Sequence, residues 1–233
     1  MTFRWRTVDL DGARPGGSIV VIDVLRAFTF EAWAFERGAG RMLAVDEAER
    51  ALHVARTVLP GSLAAGERGG RPLEGFDLGN SPLALAEHDV EGRTIVHRTS
   101  AGTQGLARTA GAGLVLAASF VTAGATARFL REHGVDDVTF VVTGDSLGRD
   151  GDEDRACAEL IAARAAGDDP DPEPFLARVA TSDAGRMFGP DGPDWAPPDD
   201  LRLACEVDRF DFALVAEPDA QLDVVEVRRW SGD

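Results

Sequence analysis

The chain contains no lysine and no tyrosine, and only two of its 233 residues are cysteine. Without lysine, Schiff-base chemistry on a side-chain amine is excluded, and without tyrosine so is catalysis by a phenol. Cys157 and Cys205 lie far apart in apolar surroundings and have no metal-ligand spacing, so reduced, buried thiols are expected in place of a disulfide framework. Long hydrophobic runs are missing too. No stretch approaches the roughly 20 apolar residues of a membrane span, and the arginine-bearing start of the chain has no apolar leader core, so a cytoplasmic protein is expected. Positive charge is scarce: 24 basic residues, all arginine, face 40 acidic ones and leave a net charge of −16. Such a surface repels nucleic acid and anionic membranes, and neither is expected as a partner.

What is present is a core-forming composition, 44% apolar, with strand-length apolar runs alternating with helical patterns. The runs at 18–24, 42–45, 94–97, 114–117 and 138–143 lack polar alternation, which fits strands buried on both faces. Helical patterns are read at 28–37, 46–58, 81–88, 103–110, 122–133 and 153–166, with Asp46 as an N-cap and Ser81-Pro82 as a helix start. Strand and helix in alternation predict a layered α/β fold with a largely parallel sheet. Residues 1–166 are expected to form the α/β core. Residues 167–233, with acidic, proline-rich links at 168–174 and 189–200 read as loops or solvated surface, are expected to pack on it as a smaller lobe or edge strands, not an independent domain. A helix around 175–180 and strands at 212–216 and 222–227 are read within that segment.

Two runs mix acids, arginine and glycine: Ile22-Asp23-Val24-Leu25-Arg26-Ala27, and Gly66-Glu67-Arg68-Gly69-Gly70 followed by Gly75-Phe76-Asp77-Leu78-Gly79-Asn80-Ser81-Pro82. The mixture suits a pocket in which acids hold a divalent cation and arginines hold an oxyanion. Taken singly, each has a structural explanation. Asp23 and Arg26 could form an ion pair or turn cap, the glycine run a tight turn, and Asp77 and Asn80 an Asx turn. The loop from Thr99 through Ser100, Ala101 and Gly102 to Thr103 resembles a phosphate cradle without matching the P-loop pattern. Ser119 and Gly144-Asp145-Ser146 follow two further strands, so four strand ends could converge on one crevice at the carboxyl edge of the sheet. Of the histidines, His53, His88 and His133 read as surface or packing residues. His97, at a strand end beside Arg98, is the one with a catalytic prospect. No G-x-S-x-G elbow is present, which argues against a serine hydrolase.

In this order, I-D-V-L-R-A, G-E-R-G-G, G-F-D-L-G-N-S-P, the T-x-x-G-T loop and A-S-F resemble the 2-phosphosulfolactate phosphatase (ComB-like) family, over residues 20–120 and more faintly beyond. The resemblance implies a Mg²⁺-dependent phosphatase that hydrolyses 2-phospho-3-sulfolactate to 3-sulfolactate and phosphate. It implies Asp23, Glu67 and Asp77 as catalytic acids and metal ligands. Arg26, Arg68, Asn80, Thr99, Gly102, Thr103 and Ser119 are then the substrate-binding residues, with Asp23 either a nucleophile or an activator of water. Partners are expected to be a small phosphorylated acid and, at most, a second copy of the chain in a homodimer. Three departures stand against the family pattern: Ser100-Ala101 where T-N-G-T has an amide, Val142-Thr143-Gly144 for C-A-G, and Gly151-Asp152-Glu153-Asp154 for S-L-E-D. They favour a second reading, a weakened member that binds a small anion or regulates. A Rossmann-type nucleotide enzyme would need a glycine fingerprint after the first strand, and residues 23–29 have none.

Overall fold

The computed structural model describes residues 2–145 and 148–232. Ser146 of the Gly144-Asp145-Ser146 motif lies outside them. The strands are β1 (Arg4–Asp9), β2 (Ser18–Ile22), β3 (Arg41–Ala44), β4 (Leu63–Arg68), β5 (Arg71–Pro72), β6 (Thr94–Arg98), β7 (Leu114–Ala118), β8 (Asp137–Val142), β9 (Ala213–Asp219) and β10 (Val224–Trp230). The helices are α1 (Ala27–Glu36), α2 (Ala48–His53), α3 (Gly102–Thr109), α4 (Ala123–Glu132), α5 (Asp152–Ala166), α6 (Glu173–Thr181) and α7 (Pro198–Ala204). None is long and apolar enough to cross a membrane.

The strands form one mixed, mostly parallel sheet in the order β1-β8-β2-β7-β9-β10-β3-β6-β4-β5. Parallel pairing links β1 to β8, β8 to β2 and β2 to β7 on one side, and β3 to β6 and β6 to β4 on the other. The expected layered α/β fold is therefore present, with one correction. The two C-terminal strands are not at the edge: β9 pairs antiparallel with β7, and β10 antiparallel with β3, in the middle of the sheet. Their inner faces are apolar, and Leu214, Ala216, Val225 and Val227 join the main core, which no edge hairpin could do.

Three apolar clusters set the layers. One face of the sheet packs on α1 and α3 through Val21, Phe28, Phe30, Ile95, Leu106 and Leu214. The opposite face of β2, β7 and β8 is covered by α4 and α5, with Ile22, Phe140, Leu130 and Ile161 at the contact. That of β3, β4 and β6 is covered by α2 and the π-helical turn Val54–Val58 that continues it. Neighbouring strands lie about 4.8 Å apart, so the six steps from β2 to β4 would span roughly 29 Å in a flat sheet. The residues at their carboxyl ends nevertheless share one small cavity, so the sheet curls around α1 and α3.

Several local expectations change. The segment read as a helix from Ser81 is only a short 3₁₀ turn, Ala84–Glu87. The Ser81 hydroxyl and the Leu83 amide are held by Asp200, 2.8 and 3.1 Å away, which competes with helix propagation. Glu47, not Asp46, occupies the N-cap of α2 and makes no side-chain cap bond. The 189–200 link is not a solvated surface: Ala196 and Asp200 are buried, and α7 begins inside it. Cys157 is buried and Cys205 half-buried, both as free thiols.

Candidate active site

At the carboxyl ends of β2, β4, β6 and β8 the chain encloses a cavity of about 180 Å³. Its lining includes Asp23, Arg26, Glu67, Asn80, Ser100, Arg149, Glu153, Asp154, Phe188 and Trp195. Asp23 leaves β2 and accepts a hydrogen bond from the Ala27 amide at 3.0 Å, at the first turn of α1. The start of α3 presses against it. A side chain at Gly102 would place Cβ 2.7 Å from Asp23 Oδ2 and 2.6 Å from Ala27 Cβ, so this approach requires glycine. Glu67 ends β4, where Oε1 accepts the Ser100 amide at 2.5 Å and Oε2 accepts the Gly70 amide at 2.5 Å and the Ser100 hydroxyl at 3.2 Å.

Two further acids enter from the first turn of α5. Asp154 takes the Val24 amide at 2.8 Å and the Gly144 amide at 2.7 Å, tying the ends of β2 and β8 together. Glu153 is buried, and its Oε2 has no hydrogen-bond partner among the described residues. Burial dominates the electrostatics: it lifts the Asp23 carboxyl from 3.8 to about 6, aided by the charge of Glu67. Burial also raises Glu153 and raises Asp154 well above the carboxylate range, with the other cavity acids adding repulsion. Among the described residues, no three acidic, histidine or cysteine groups stand close enough to chelate one ion unaided.

Of the residues singled out from sequence, the cavity brings together Asp23, Arg26, Glu67 and Asn80, with Gly102 against Asp23. Arg26 is a strut. Its Nη1 donates to Trp195 O and Asp200 Oδ2, both at 2.7 Å, and its Nη2 to Gly70 O at 3.0 Å. Its guanidinium lies 5.3 Å from the Phe188 ring centroid and 5.8 Å from that of Trp195. Asp77 stands outside the lining, where Oδ2 accepts the Ala64 amide at 2.7 Å and pairs with Arg56 at 2.8 Å. Arg68 lines a shallower neighbouring depression with Arg98 and Arg108, sharing only Gly69 and Ser100 with the cavity. Thr99 and Thr103 are buried and cap each other: the Thr99 amide donates to Thr103 Oγ1 at 2.8 Å and the Thr103 amide to Thr99 Oγ1 at 3.0 Å. Ser119 is buried at the end of β7, its amide donating to Thr122 Oγ1 at 3.5 Å.

The sequence reading assigned no role to Glu153, Asp154, Arg149, Trp195 or Asp200. Glu153 and Asp154 entered it only within the Gly151-Asp152-Glu153-Asp154 segment that departs from the family's S-L-E-D, and a tryptophan in a proline-rich link gives no sign of its target. The target is Gly70: a Cβ there would lie 2.2 Å from the Trp195 ring. Arg149 carries a buried Nε at the cavity wall that has no hydrogen-bond partner among the described residues.

The sequence profile of the family described as 2-phosphosulpholactate phosphatase matches residues 6–187. A probable 2-phosphosulfolactate phosphatase of Synechococcus sp. (strain RCC307) is 43% identical over 127 residues, 54% of this chain and 51% of that protein. One of Deinococcus radiodurans is 42% identical over 144 residues, 61% and 59% of the two chains. One of Gloeobacter violaceus is 37% identical over 150 residues, 64% and 63%. The matched part of the chain spans about half to three-fifths of the length of these curated relatives. Trp195 and Asp200 lie beyond the span matched to the family.

Proposed function

Since the chain belongs to the 2-phosphosulpholactate phosphatase family, we propose that it hydrolyses 2-phospho-3-sulfolactate, or a closely related small phosphorylated acid, with the help of Mg²⁺. The observation that carries this reading is the cavity itself: Asp23, Glu67 and Glu153 are buried together at strand carboxyl ends, two of them with raised pKa values. Clustered buried carboxylates are costly unless a cation joins them. Glu153 Oε2, buried and unpartnered, is a donor atom with nothing yet to bind. Mg²⁺ retains waters and is usually held by one or two carboxylates together with substrate phosphate oxygens, so the lack of a three-acid chelate fits this ion. Asp23 and Glu153 would hold it, with Glu67 alongside. When bound, it would neutralise the phosphoryl oxygens and the charge that develops on them.

The chain's own residues supply the rest. Arg149 lines the cavity and is a cation that can meet an anionic group of the substrate. Asn80 and the Ser100 hydroxyl line the same cavity and can donate to phosphate oxygens. Glu67, fixed by two backbone amides, orients the loop that carries Ser100. In the reaction a water oxygen forms a new bond to phosphorus, the ester P–O bond breaks, and the proton released by water ends on the 3-sulfolactate hydroxyl. Phe188 and Trp195 close one wall against bulk water.

The test is phosphate release from 2-phosphosulfolactate and a panel of phosphorylated hydroxy acids, in Mg²⁺ and in EDTA, by the wild type and Asp23→Asn. Metal-dependent release that the variant lacks is expected. A folded protein that binds one of these compounds without turnover would replace the phosphatase with a binding protein.

A further inference from the structure

Behind the cavity wall lies a polar cluster that the proposed chemistry does not use. His97, at the end of β6, is completely buried, with Nδ1 2.8 Å from Glu31 Oε1 and Nε2 3.1 Å from Asn80 Oδ1. Glu31, on α1, is also completely buried, and its Oε2 has no partner. The Phe30 ring packs 4.9 Å from the imidazole and holds its plane. Asn80 is the only asparagine in the chain, is 5% exposed and lines the cavity.

We propose that Glu31 and His97 are positioning residues that lock the Asn80 amide with its N–H donors, not its oxygen, toward the cavity. An amide oxygen can only accept, so the contact to Asn80 requires the hydrogen on His97 Nε2. Glu31 Oε1 faces Nδ1 across a further hydrogen, separate from the one on Nε2, and fixes the orientation of the ring. The consequence is chemical. The two orientations of an asparagine amide have almost the same shape, yet one offers two donors to an anion and the other offers an oxygen that repels it. Without the histidine nothing in the contact would favour the productive orientation. A cluster needed only for packing would gain from apolar replacements, whereas this one keeps a buried acid with a bare oxygen. The identity of the anion rests on the phosphatase reading; the locking of the amide does not.

The first arm of the test reads the protein alone. With asparagine and histidine selectively labelled with ¹⁵N, the single side-chain NH₂ pair of Asn80 and the His97 imidazole can be observed directly. A protonated Nε2, and an Asn80 pair whose shifts are displaced and whose exchange is slow, are expected, with both signatures lost in His97→Phe. A bare Nε2 would overturn the proposal.

The second arm uses inorganic phosphate as the probe, titrated by calorimetry in Mg²⁺. Asn80→Ala and His97→Phe should each weaken binding by about 10- to 100-fold, the range for a hydrogen bond to a charged group. The double variant should be no weaker than Asn80→Ala, because a positioning residue has nothing left to position. His97→Gln, which retains a donor for Asn80 Oδ1, should restore most of the affinity and serves if His97→Phe does not fold. Asn80→Asp, of equal size but without donors, should bind more weakly than Asn80→Ala. Additive losses in the double variant, or full affinity in folded His97→Phe, would overturn the proposal. If the wild type binds no phosphate while the first arm behaves as expected, the phosphatase reading fails and the locked amide stands.

Discussion

Replacing Asp23 by asparagine turns the burial cost of a carboxylate into a measurable pH dependence. In the folded chain burial, aided by the charge of Glu67, lifts this carboxyl from 3.8 to about 6. In the unfolded chain it titrates near its ordinary value, so between pH 4 and 6 the native state holds more protons than the unfolded one. Stability then falls with rising pH. At about 1.4 kcal/mol per pH unit, the shift corresponds to about 3 kcal/mol, fully present below pH ~4 and gone above pH ~7. Asp23→Asn cannot titrate. The stability of the wild type minus that of the variant should therefore decline by about 2.4 kcal/mol from pH 4 to pH 7, measured by urea unfolding at closely spaced pH values in EDTA. Taking the difference cancels the acids that behave alike in both proteins. Glu153 and Asp154 do not cancel fully, because their carboxyls are also raised by the Asp23 charge. Their easier ionisation in the variant steepens the decline and does not reverse it. On the proposed reading, Mg²⁺ at 100 times its Kd should restore about 2.7 kcal/mol to the wild type at pH 7.5 and much less to Asp23→Asn. A stability difference that is flat or rises with pH would refute the reasoning.

Asp200→Ala should destabilise the fold by about 3 to 5 kcal/mol, because it leaves the buried Arg26 guanidinium unpaired; a loss under about 1 kcal/mol in chemical denaturation would contradict the strut. Asp77→Asn should leave kcat within about threefold of the wild type and lower stability by about 1 kcal/mol, since it disturbs only the Ala64 and Arg56 contacts. A loss of kcat beyond about 100-fold would return Asp77 to the chemistry. Gly102→Ala should cost about 1 to 3 kcal/mol of stability and depress turnover, because its Cβ would enter the space of Asp23 and Ala27; unchanged thermal unfolding together with unchanged turnover would contradict that close approach.

The strands that the sequence makes legible are those buried on both faces. β2, β3, β6, β7 and β8 carry continuous apolar runs because helices cover both sides of the sheet. β1 escapes the same reading because its residues are largely exposed and its sequence, RWRTVD, carries arginine at alternate positions. β4 escapes because LAAGER is small and polar, and Gly66 is there so that the Arg98 carbonyl can pass within 2.0 Å of where a Cβ would stand. At the site, Asp23 could be picked out because an acid ends a predicted strand, and Glu67 and Asn80 because they stand in runs that mix glycine with acids. Glu153 and Trp195 could not, because their places depend on contacts over long sequence separations. Trp195 meets Gly70, and Arg26 meets Asp200. Arg26 shows the limit of residue type: an arginine beside an acidic motif suggested an anion ligand, while its terminal nitrogens are engaged by a carboxylate and two carbonyls of the protein.

The position of the C-terminal hairpin bears on how the molecule is assembled during synthesis. β9 and β10 follow the other eight strands in chain order, yet they fill the middle of the sheet and join the β7 side to the β3 side. Until they arrive, a nascent chain carries two half-sheets with open inner edges, one bearing Asp23 and the other Glu67. Each can form its parallel pairs early, but neither can complete the cavity. Acquisition of the site is thereby deferred until these two strands have been made, and the exposed edges of β7 and β3 are the surfaces at which an arrested or truncated chain would be prone to pair with another copy.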